Sequence, residues 1–135
     1  MARKRFGFSL LFITLFFRSM GQSSAEEVVQ ANLDAYNQRN ITQFMKYIHP
    51  NVTLYDWEAM KPAATGWQEV KERYQDLFDK SPFLTSQLMG RTVLGSKIID
   101  YEVISGRMGE PRFVELVVVY EVEEQLIKKI LVIRK

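Results

Sequence analysis

The sequence predicts an α+β domain in which three N-terminal helices pack against a curved antiparallel sheet. Two observations carry that prediction. Up to the "KSP" at residues 80–82, apolar residues recur mainly at three- and four-residue steps, and beyond it they alternate. The chain also has no repeat, low-complexity tract or linker across its 135 residues, a length that suits one domain with a real core. Helices followed by a run of strands make an α+β domain, with the helices gathered on one side of the sheet.

The first helix begins at Ser24. Val28, Val29, Leu33 and Tyr36 form its apolar stripe, and Glu26 and Glu27 sit in the first turn, where the helix dipole favours acids. After "NQRN" a second short helix is predicted, capped by Thr42, buried through Phe44, Met45 and Ile48, and stopped by Pro50. The strand "NVTLYDW" follows, then a loop, "EAMKPAA". Thr65 and Gln68 fit a capping box ahead of the third helix, whose stripe is Trp67, Val70, Tyr74, Leu77 and Phe78.

Residues 84–94, 97–106, 112–122 and 125–134 read as four strands. "GS" joins the first two as a hairpin turn, and "RMGEP" falls between the second and third. Val114, Leu116, Val118, Tyr120 and Val122 give the third of these strands a wholly apolar face, which must meet the helices. The opposite face is apolar with acids at intervals, as expected of a surface covered by a second subunit.

Residues 1–25 stand apart from this domain. A basic start, an apolar run from Phe6 to Phe17 and then small residues have the layout of a secretory signal peptide, with cleavage after Gly21 or Ala25. As a helix that run reaches about 18 Å, short of a hydrocarbon core of about 30 Å. The mature domain, 26–135, is therefore expected to be secreted or periplasmic, with no stable membrane insertion. It has no cysteine, so packing alone must hold it together. The triplets "NIT" and "NVT" match the glycosylation pattern and occur often by chance. Without residues 1–25 the chain carries 14 basic against 16 acidic residues, a balance that argues against nucleic acid.

In this order, "YNQRNITQFMKYIHPNVTLYDW", "TGWQEVKERYQDLF", "VLGSKIIDYEVISG" and "YEVEEQLIKKILVIRK" resemble the nuclear-transport-factor-2-like superfamily, which includes ketosteroid isomerases and SnoaL-like cyclases. The resemblance covers nearly all of residues 25–135. It implies a cone-shaped fold around a small-molecule pocket. It also implies that an isomerase-type aspartate base corresponds to Asp56, the family's tyrosine to Asn32, and its second acid to a position near Val118 or Val119.

Asp56 continues the apolar row of its strand, so two readings stand: a base at a pocket mouth, or a strand-end carboxylate accepting backbone N–H groups. Asn32 and Tyr36 are candidates to bind a ligand oxygen; Leu54, Trp57 and Tyr101 are candidate walls. On the strand holding Tyr101, the pattern points Tyr101 inward and Glu102 outward, where Arg91, Glu102 and Glu115 would pair across the sheet. His49 is the only histidine, which excludes a multi-histidine metal site, and at a helix end it reads as a cap or surface group. No phosphate-binding loop or nucleophile motif is present. The expectation is a homodimer that takes an apolar small molecule without a cofactor or metal. Either it moves a proton on that molecule, or it only binds it, or the domain serves dimerisation and assembly.

Overall fold

The computed structural model describes residues 22–135. The expected signal peptide therefore lies outside the described residues up to position 21. Helix α1, Ala25–Asn37, starts where Ser24 Oγ accepts the Glu27 backbone N–H, an N-cap supported by Glu26 and Glu27. It buries Val28, Val29, Asn32, Leu33, Ala35 and Tyr36.

Helix α2, Ile41–Met45, is shorter than the spacing suggests. Its cap is Asn40, whose side chain accepts the Gln43 N–H, and not Thr42. Strand β1, Ile48–Asp56, has already begun when the chain reaches Pro50. The proline does not stop a helix. It falls between two stretches of strand pairing, where its missing N–H removes no ladder bond.

The stretch expected as a loop contains an edge strand, β2, Lys61–Thr65, paired antiparallel with β1. The edge position makes Pro62 tolerable there. Helix α3, Trp67–Lys80, is preceded by Gly66 and has no side-chain cap. Instead of the expected box, Glu69 reaches back to accept the Thr65 N–H at 2.7 Å.

Strands β3 (Thr85–Leu94), β4 (Lys97–Ser105), β5 (Val114–Glu123) and β6 (Leu126–Arg134) match the predicted four to within one or two residues at most ends. A 3-10 turn at Arg107–Gly109 lies between β4 and β5. The six-stranded sheet runs β2-β1-β6-β5-β4-β3, curved and not closed. It is mostly antiparallel and not wholly so, because β1 and β6 pair in parallel. Val29, Val52, Val70, Leu84, Ile98, Ile127 and Ile130 are almost fully buried between helices and sheet.

The face of β4 is the main correction. Ile98, Asp100, Glu102 and Ile104 point toward the helices, while Tyr101 is 42% exposed on the outer side. Burial of the two acids is made possible by partners. Arg91 donates two hydrogen bonds of 2.7 Å to Asp100, and its third branch reaches Gln30 on α1. The expected outer pairing of Arg91 with Glu102 and Glu115 is absent among these contacts; Tyr101 donates to Glu115 instead, at 3.2 Å.

Candidate functional site

Between α1, α3 and the inner face of the sheet lies a cavity of about 300 Å³. Its apolar wall includes Leu33, Leu54, Ile104, Leu116, Val118 and Val132. An aromatic cluster closes one side: Phe44 and Tyr74 have ring centroids 4.3 Å apart, and Tyr36 meets Phe78 edge-on at 5.5 Å.

Glu102 is the buried acid of this cavity, 3% exposed. Its Oε2 accepts the Ser86 hydroxyl at 2.6 Å and its Oε1 accepts the Tyr120 hydroxyl at 3.3 Å. Burial raises its pKa above the ordinary carboxylate value, and the nearby Asp100 adds to the rise. The Ser86 hydrogen bond opposes it. Burial and the Glu102 charge likewise push the Tyr74 phenol up to about 12, and the Tyr36 and Tyr120 phenols are raised mainly by burial. Tyr36, Tyr74 and Tyr120 thus stay protonated as hydrogen-bond donors around one acid that shares their cavity.

The predicted site residues divide into two groups. Asn32, Tyr36, Leu54 and Asp56 all line the cavity. Asn32 uses an amide N–H to hold the Phe44 carbonyl at 3.0 Å, which joins α1 to α2. Asp56 lines the cavity and takes the strand-end role. Its Oδ1 accepts the Glu58 N–H as a strand-end cap, and its Oδ2 accepts Arg134 Nη1 at 2.8 Å at the cavity mouth.

Trp57 and Tyr101 belong elsewhere. Trp57 is half exposed and lies with Val119, Leu131 and Lys97 along a groove on the outer face of the sheet. Strand alternation keeps it opposite Asp56. His49 accepts the Asn51 N–H and takes no part in the cavity. Among the described residues no group of three or more histidines or acids is placed to hold a metal ion.

No family model and no curated protein matches this sequence. Solved structures do match. An NTF2-like protein of unknown function from Cytophaga hutchinsonii superposes with a TM-score of 0.72 at 15% identity, covering 86% of this chain and 94% of its own. The chain has the nuclear-transport-factor-2-like fold. A protein with a ketosteroid isomerase-like fold from Catenulispora acidiphila gives 0.68 at 14% identity, covering 79% and 84%. TerC, co-crystallised with polyporic acid, gives 0.70 at 14%, covering 84% and 92%. Within this nuclear-transport-factor-2-like fold, the buried acid is Glu102 on β4, while the position near Val118 and Val119 on β5 carries no acid.

Proposed function

We propose that the cavity encloses a small, largely apolar molecule bearing a carbonyl-type oxygen, and that Glu102 moves a proton on it without a cofactor. The observation that carries this reading is the buried Glu102 carboxyl, held by Ser86 and Tyr120 inside an apolar cavity. A carboxyl with a raised pKa is a stronger base once ionised and returns its proton readily when neutral. In its ionised form Glu102 would take a proton from the carbon beside the carbonyl. The electron pair would move onto the oxygen, where the Tyr36 or Tyr74 phenol donates a hydrogen bond. Neutral Glu102 would then return the proton to the same or a neighbouring carbon. Leu54 and the aromatic cluster exclude water from this exchange. The structurally similar TerC was crystallised with polyporic acid, which is in keeping with an enclosed organic ligand.

A second reading, a binding module without chemistry, is favoured by one observation. Asp56, the residue corresponding to the base of the isomerases, is engaged by Arg134 and by a backbone N–H.

Acetylnaphthalene serves as the test molecule, with its methyl protons followed by deuterium exchange. The wild-type chain is expected to bind it and to accelerate exchange. Glu102→Gln should lose the acceleration while keeping affinity within a few-fold, whereas Leu54→Trp, which fills the cavity, should lose both. Binding without accelerated exchange supports the second reading; exchange that survives Glu102→Gln removes Glu102 from the first.

A further inference from the structure

Resting on the cavity reading above, we propose that the enclosed molecule is an amphipathic organic acid. Its apolar body would fill the cavity, and Arg107 and Arg73 would hold its carboxylate at the mouth.

The charged groups lining the cavity are not paired one to one. Three guanidinium groups, Arg73, Arg107 and Arg134, share its lining with Asp56 and Asp76. Both of these carboxylates are already engaged: Asp56 by Arg134 at 2.8 Å, and Asp76 by Lys80 at 2.7 Å. The remaining acid, Glu102, is buried and held by Ser86 and Tyr120. Among the described residues Arg73 and Arg107 form no salt bridge, so two cations of the lining are left without a carboxylate partner.

Arg107 is also fixed in place. It follows Gly106, which has φ of 71° and packs so closely on the Phe83 carbonyl that a Cβ there would lie 2.3 Å from the oxygen. One residue beyond, the Met108 N–H donates to Ser81 Oγ at 2.8 Å. A turn clamped on both sides of Arg107 holds that arginine's backbone at the cavity, and Met108 lines the wall beside it. Arg107 and Tyr36 both line the cavity.

A guanidinium matches a carboxylate through two parallel hydrogen bonds, which favours an anion of that shape at the mouth. The interior beyond it is apolar and aromatic, so the rest of the molecule must be hydrocarbon-like. An organic acid meets both requirements, whereas a neutral ketone lacks the anion and inorganic phosphate lacks the apolar body.

Calorimetry on the full chain at neutral pH, comparing naphthoate with acetylnaphthalene, tests the proposal. The two probes share a ring system and differ in the carboxylate. Naphthoate is expected to bind about tenfold more tightly, the gain of one charge-assisted contact, with the advantage shrinking as salt is added. Arg107→Gln and Arg73→Gln should each weaken naphthoate and leave acetylnaphthalene unchanged. Equal or tighter binding of the ketone overturns the inference and leaves the cavity reading standing. An advantage that survives in the double variant R73Q/R107Q also overturns it. If neither probe binds the wild type and Leu54→Trp changes nothing, the cavity reading and the inference fall together.

Discussion

The Tyr120 hydroxyl reaches Glu102 Oε1 at 3.3 Å, although the direct neighbour of Tyr120 across the strands is Ile98 and that of Glu102 is Leu116. The Tyr120 ring must therefore lie along the inner face of the sheet, over the β4–β5 ladder, to donate to the acid. Together with the Ser86 hydroxyl of β3, it holds the β4 carboxyl in its apolar surroundings by two hydrogen bonds.

That arrangement predicts a pH dependence of stability. The native pKa of Glu102 is raised, so the folded state holds its proton where the unfolded chain has released it. This contribution is complete below the ordinary carboxylate range and is lost as pH climbs through the raised value. Melting temperature measured against pH should fall over that interval in the wild type. Glu102→Gln should flatten the fall, and parallel curves for the two proteins would contradict the assignment.

Asp100 and Arg91 form a buried pair with side-chain exposures of 0% and 9%. Asp100→Ala leaves the guanidinium without its anion and is expected to cost about 3–5 kcal/mol in urea denaturation. Arg91→Met with Asp100→Leu should recover much of that loss, since an apolar pair of similar volume leaves no charge unpaired.

Gly106→Ala combines a positive φ with a Cβ placed against the Phe83 carbonyl. Destabilisation of at least about 2 kcal/mol is expected from backbone displacement and strain. The same shift should loosen the Arg107 turn, so amide exchange at Met108, bonded to Ser81, should speed up before global unfolding.

The outer face of the sheet carries Trp57, Tyr101, Val119 and Leu131 on strands or their ends, with Lys129 paired to Glu121 at 3.5 Å beside them. We propose that a second copy covers this face. Sedimentation at micromolar concentration should give a dimer for the wild type and a monomer for Val119→Glu with Leu131→Arg. A monomeric wild type ends this proposal.

The elements of the fold were largely legible because most carry their own local signal. The α1 and α3 stripes and the alternation of β5 need no tertiary information. The orientation of β4 does need it. Its apolar alternate, Ile99, Tyr101 and Val103, reads as the inner face, yet Asp100 and Glu102 are turned inward by register with β5. With Val118 and Leu116 known to face the helices, their partners Asp100 and Glu102 must do the same. The connection between β4 and β5 is too long to fix that register from sequence, so the pattern alone puts the acid of the cavity on the wrong side. β2 is illegible in the sequence because Pro62 and two alanines give no strand pattern, and the edge strand forms only on the template of β1.

Strand β6 sits between β1 and β5, so the sheet divides into β2-β1 and β5-β4-β3 without it. A ribosome delivering this chain makes that central piece after all the other strands. Until then the two halves can form contacts but cannot join, and the cavity between helices and sheet has no complete floor. A stop codon just after Gln125 would therefore remove the seam of the sheet and not a dispensable tail, leaving two unpaired strand edges open to aggregation.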